Sequence, residues 1–176
     1  MKSQQKALIF AAMTLFCAVP LVPQQTREEA IKGMRKVSPS EMDPTYTQAP
    51  AFAQRLVNAA LDKHTEVILL AIHAQPPGHS NNLIVASNFG RIGKIGDEDD
   101  MRCIHTGKPN LEVAGPHFEA ELPLKDAAGQ TIGALGVVFN YKSGDDKQSL
   151  VRIAEQIGRE MQSQLPDGSR LFGPAS

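Results

Sequence analysis

Hydrophobic and polar positions follow two different periods along this chain, and each period predicts an element. Thr65–Ala74 (TEVILLAIHA) is apolar on both alternating faces, with Val67, Leu69 and Ala71 on one and Ile68, Leu70 and Ile72 on the other. A run with no charge after Glu66 and no polar face predicts a central strand, covered from both sides. Gln75–Ser80 (QPPGHS) breaks it, and Asn82–Asn88 (NLIVASN) returns as the second arm of a long-looped hairpin. His117–Leu124 (HFEAELPL) alternates strictly, which turns Phe118, Ala120 and Leu122 inward and His117, Glu119 and Glu121 to a polar face. Glu119 and Glu121 stand about 6–7 Å apart on that face and read as solvated acids of a half-buried strand. The turn Lys125–Gly129 leads into Gln130–Tyr141 (QTIGALGVVFNY), a second antiparallel hairpin. A weak strand is predicted over Leu111–Ala114.

The helical period marks four other segments. Thr26–Glu29 has capping-box spacing and opens a short helix to Lys36. Ser38–Ser40 and Asp43–Pro44 form a linker. From Pro50 to Lys63, Phe52, Leu56, Ala59 and Ala60 make one apolar stripe that reaches His64. Asp97–Asp100 supplies an N-cap and favourable charge for a short helix to His105, ended by Gly107. Asp145–Gln148 has capping-box spacing at the start of a helix over 146–165. Its stripe is Leu150, Ile153, Ala154, Ile157, Met161 and Leu165, and Pro166 stops it. The sum is an α+β domain, one antiparallel sheet of about five strands with flanking helices.

The 176 residues suit one such domain. Lys and Arg number 18 against 19 Asp and Glu, so no basic field exists to bind nucleic acid. The lead segment differs from the rest. Lys2 and Lys6 precede Ala7–Val22, an uncharged apolar run too short for an ordinary membrane span, which is the pattern of an export signal. It directs the chain to the periplasm or the exterior, or anchors it to a membrane if it is not cleaved. The expected organisation is a signal over 1–23, a short helix and linker over 24–45, the domain over 46–165 and a tail over 166–176. Cys103 is the cysteine left after cleavage and is expected to be a buried small hydrophobe.

Candidate chemistry is sparse. Gly90, Gly93 and Gly96 punctuate a segment that carries Arg91 and Lys94, with no P-loop or dinucleotide spacing. The glycines predict a mobile flap, where Arg91 could clamp a carboxylate. Arg102 and His105, three apart on the short helix, would share a face. The five histidines show no HxxxH or HExxH spacing.

The segment ELPLKDAAGQTIGALGVVFNY, placed after a central hairpin and a loop with a short helix, resembles the last sheet strands of the extracytoplasmic PAS-like sensors of the Cache (PDC) family. The resemblance spans about residues 46–165 and implies a PAS/Cache-like, profilin-like fold. It implies a small-molecule pocket between the sheet and the Gly90–Gly107 segment, with Arg91, Arg102, His105 and His73 as ligand contacts. No transmitter follows the last helix, so the expectation is a free-standing, non-enzymatic sensor without a cofactor. It would take a small, anionic ligand and signal through helix packing, homodimerisation or a membrane receptor. Two alternatives stay open: a haem b sensor using His73, His105 or His117, and an interaction module without a ligand.

Overall fold

A computed structural model describes residues 27–32, 34 and 36–175 of the chain. The expected export signal over 1–23 lies outside the described residues. The described helices are α1 (Arg27–Lys32), α2 (Ala51–Lys63), α3 (Glu98–Thr106) and α4 (Lys147–Gln162), with two short 3-10 turns at Pro39–Glu41 and Gly168–Phe172. The strands are β1 (Val67–Ala74), β2 (Leu83–Ser87), β3 (Asn110–Ala114), β4 (His117–Lys125) and β5 (Thr131–Asn140). They form one five-stranded sheet in the order β2-β1-β5-β4-β3, with every neighbouring pair antiparallel. The α+β architecture read from the two periods is therefore the observed one.

The sheet is covered on both faces, as the doubly apolar β1 requires. On the first face, Leu70 and Ile72 of β1, Phe118 and Leu122 of β4, and Leu135 and Val137 of β5 pack against α2 and α4. The stripes of those helices are buried at Phe52, Leu56, Ala154, Ile157 and Met161. On the second face a smaller cluster forms from Leu69, Ala71, Ile84 and Val138, joined by Ala30 of α1 and by Phe89 and Ile92. A register shift between Val67 and Leu69 moves Val67 to the first face, away from the partners that strict alternation assigned it. Asn88 bridges this bulge, its amide donating to Ile68 O and accepting from Leu70 N.

Four expectations change. The segment expected to be a tail folds back: Leu165 and Leu171 are fully buried in the main core, and Phe52 N donates to Gly173 O. The 24–45 segment is not a free linker. Its backbone is stitched to the glycine-punctuated loop by Asp43 N to Gly93 O and Ile95 N to Glu41 O, both 2.8 Å. That loop is further tied to β2 by Gly93 N to Ile84 O and Ile84 N to Lys94 O, and Gly96 N donates to Asn82 O. The glycines here serve tight turns in a hydrogen-bonded arch, not a loose flap. The α4 cap also shifts by one residue, since Asp146 accepts from Gln148 N while Asp145 accepts from Lys142 N. Among the described residues no helix is long and apolar enough to cross a membrane.

Candidate functional site

The second face of the sheet is only partly filled. Between it, α1, the arch and the start of α3 lies a cavity of about 740 Å³. Arg27 holds α1 above it through Nε to Val67 O at 2.7 Å and Nη2 to Leu61 O at 2.6 Å. These bonds anchor α1 to the α2–β1 junction and bring Glu29 and Ala30 to the cavity wall.

The floor is built by cross-strand register. Ala71, Gly136 and Glu121 form one row over β1, β5 and β4, and Leu69, Val138 and Glu119 form the next. Gly136 sits at the centre. A Cβ there would lie 3.9 Å from both His73 Nε2 and Glu119 Oε1, so the bare backbone leaves room for side chains of the two flanking strands to approach across β5. α3 closes one end. Asp97 caps it, accepting from Asp100 N, while Asp100 Oδ2 accepts from Asp97 N at 2.8 Å. That reciprocal cap aims the other oxygen of Asp100 at His73, whose Nδ1 lies 3.1 Å from Asp100 Oδ1. Lys94 Nζ donates to Asp97 Oδ2 at 2.9 Å and lies 3.9 Å from Asp100 Oδ2.

His73, Asp100 and Glu121 thus meet in the interior, 6, 4 and 5 % exposed. Burial pushes the Glu121 carboxyl up, and the neighbouring Asp100 carboxyl adds to the rise. Burial also opposes ionisation of Asp100, but the His73 ring beside it outweighs that, helped by Glu121 and the Asp97 amide, and the group is held well below the usual range. Two carboxyls this close in the interior disfavour being ionised together. Burial likewise raises Glu119, partly offset by His73 and reinforced by Asp100. Cys103 packs behind this cluster, its Sγ donating to Glu121 O at 3.6 Å. Burial, with the charges of Glu121 and Asp100, pushes its thiol up to about 12, so it is a buried hydrophobe with no thiolate to attack a substrate.

The expected contacts divide. His73 is in the floor, and Arg91 is in the wall with its guanidinium 4.4 Å from the centre of the Phe89 ring. His117 also lines the cavity, and burial lowers its pKa. Arg102 and His105 are on the exposed side of α3, outside the lining, and Arg102 pairs with Asp99. Of the three haem candidates, His73 and His117 therefore reach the cavity and His105 does not. The acids were misjudged in the sequence. Alternation placed Glu119 and Glu121 on the face opposite Phe118, as observed, but that face is partly covered by α1 and α3, which leaves Glu121 buried and Glu119 half-buried. Asp100 showed only as one of four acids at a helix start.

No protein-family model matches the chain, and no curated protein matches it. Among solved structures, the GAF domain of A. aeolicus nlh2 in an inactive state is 13% identical over 83% of this chain and 90% of that one, with a TM-score of 0.45. The cofactor-binding GAF domain of the nutrient sensor CodY from Clostridium difficile is 14% identical over 68% and 88%, with a TM-score of 0.44. A type II free methionine-R-sulfoxide reductase from Thermoplasma acidophilum is 12% identical over 64% and 90%, also at 0.44. These neighbours include GAF-type sensor domains and an enzyme. Overlap at this level assigns no ligand and no residue role to the chain, and it does not single out the extracytoplasmic Cache family.

Proposed function

We propose that this domain is a sensor-type module that binds a small ligand on the second face of its sheet and performs no catalysis. The cavity carries the reading. Its volume of about 740 Å³ falls in the roughly 300–1,000 Å³ range of small-molecule sites. A face packed for stability alone would be closed by aliphatic side chains; here His73, Asp100 and Glu119 occupy its wall. Glu29, Asp97, Asp100, Glu112 and Glu119 line the space together with Arg91 and Lys94, so acids outnumber cations there. That balance favours a ligand with a positively charged group over the simple anion that Arg91 alone suggests. Arg91 remains placed to take a carboxylate on the same molecule.

Signal output follows from the cover. Because α1 supplies Glu29 and Ala30 to the wall, occupancy biases how α1 packs and thereby the chain that precedes it, toward a partner or a second copy. The basic-then-apolar pattern of Lys2, Lys6 and Ala7–Val22 supports export and a periplasmic or secreted location.

A thermal-shift panel of amines, amino acids, carboxylates and purines tests the reading. Compounds with a cationic group should raise the melting temperature, and an excess of 100 Kd corresponds to about 2.7 kcal/mol. Ala71→Phe, which places a ring in the cavity, should abolish the shift while circular dichroism stays native. Where the ligand also carries a carboxylate, Arg91→Ala should weaken it about 10- to 150-fold. Absence of stabilisation by every class, or a shift that survives Ala71→Phe, would refute the proposal.

A further inference from the structure

We propose that His73, Asp100 and Glu121 form a binding site for one divalent transition-metal ion at the floor of the cavity. Each residue offers one donor atom, and the three atoms lie within 4.8 Å of one another. They come from three separate elements, β1, α3 and β4, and all are more than nine-tenths buried. Acids that cluster on a surface need no explanation, but two carboxyls beside an imidazole in the interior do. The polar accounting leaves two gaps at this spot: Glu121 Oε1 and His73 Nδ1 are buried and have no hydrogen-bond partner. The 3.1 Å approach of Nδ1 to Asp100 Oδ1 is an ion-pair distance whose alignment does not satisfy the ring N–H. A single cation among the three groups would satisfy both orphaned atoms, because it accepts lone pairs from any direction.

The surroundings fit such an ion. His73 and Asp100 also line the cavity, so the ion has a route of entry and keeps coordination positions open toward that space, for water or a ligand atom. Asp100 is oriented from behind by the Asp97 amide, which donates to its Oδ2 and leaves Oδ1 for an ion. Gly136 keeps β5 from filling the gap between His73 and the β4 acids. Rotation of the carboxylates draws the donors in to the roughly 2.0–2.2 Å typical of such ions. One imidazole nitrogen with two carboxylates suits Zn²⁺, Mn²⁺, Fe²⁺ or Co²⁺, whereas Mg²⁺ and Ca²⁺ prefer all-oxygen cages.

This inference stands on the cluster and needs no organic ligand, so metal alone tests it. The full chain, stripped with a chelator, is titrated with Zn²⁺ by calorimetry and with Co²⁺ by visible absorption. The expected result is one ion per chain, undisturbed by millimolar Mg²⁺. His73→Gln and Glu121→Gln should each weaken Zn²⁺ binding at least ~100-fold and remove the Co²⁺ bands. Glu155→Gln, which alters an exposed carboxylate of α4 outside the cavity, should leave both readouts unchanged. Melting curves without metal establish that each variant folds. Glu121→Gln keeps the size and shape of the side chain and decides the matter if His73→Gln does not fold. Failure of the folded wild type to bind stoichiometric Zn²⁺, or unchanged affinity in Glu121→Gln, overturns the site. Binding that moves instead to the His64–Glu160 or His79–Asp43 pairs would show the same insensitivity. A failed titration leaves the thermal-shift result for organic ligands untouched, so the two readings fall separately.

Discussion

Substituting Gly93 by alanine probes the arch that holds the cavity's wall in place. Gly93 has φ +89°, and a Cβ there would lie 2.3 Å from Tyr46 O and 3.1 Å from Asp43 O, both backbone atoms. Gly78 supplies the control, with φ +81° and nothing within 4 Å of its virtual Cβ. Both changes carry the left-handed penalty of about 1–2 kcal/mol, and both gain about 0.4–1 kcal/mol by restricting the unfolded chain. These contributions cancel in the difference. What remains at Gly93 is the clash with a carbonyl that cannot rotate away as a side chain would. Relief requires the Asp43–Tyr46 turn to move, which strains the bond from Asp43 N to Gly93 O at 2.8 Å. One lost hydrogen bond is worth about 1 kcal/mol, and displaced packing around the turn adds a similar amount. Gly93→Ala should therefore be about 2 kcal/mol less stable than Gly78→Ala. With a urea slope of about 2 kcal/mol/M, its midpoint should lie about 1 M lower. Equilibrium urea unfolding followed by circular dichroism reads both. Midpoints of the two variants within about 0.2 M of each other would show that the arch yields freely and that the loop is a flap after all.

Leu171 is fully buried, so Leu171→Ala should cost about 2–5 kcal/mol, whereas Leu111→Ala on the exposed edge strand should stay within about 0.5 kcal/mol; equal losses in urea melts would mean that the C-terminal segment does not dock. Cys103 should react with a thiol reagent at pH 8 about 1,000-fold more slowly in the native protein than in urea, because a thiol raised to about 12 has almost no thiolate there; comparable rates would contradict its burial against β4. Glu160 is lowered to about 2 from 4.5, because hydrogen bonds from Lys63, Gln156 and His64 outweigh the opposing effect of partial burial. A depressed carboxyl stabilises the fold above its unfolded pKa and loses that contribution as pH falls from about 4.5 toward 2. Its side chain is 30 % exposed, so the contribution is screened to below about 1 kcal/mol. Glu160→Gln should flatten the decline of melting temperature between pH 5 and 3, and an unchanged slope would remove the ion pair from the account.

Periodicity determined much of this protein. The two-residue period of β4 and β5, the doubly apolar β1 and the stripes of α2 and α4 follow from local sterics and from the need to bury one face, and both are written in adjacent residues. Helix ends were legible for the same reason, since Asp97 and Gly107 act on their own backbone. The register break that moves Val67 was not legible, because it depends on how β1 meets β5. Nor was the fate of the segments outside the predicted domain, since an apolar residue such as Leu171 does not announce which groove will receive it. The site was least visible. His73, Asp100 and Glu121 are 27 and 21 residues apart in turn, and each had a bland local role as a strand end, a helix cap and a strand acid. Only the sheet order, which puts β5 and its Gly136 between β1 and β4, and the packing of α3 over them make the three groups neighbours. Secondary structure is set by contacts near in sequence, whereas the polarity of an interior is set by which faces the tertiary fold covers, and Glu121 became a buried acid through that covering alone.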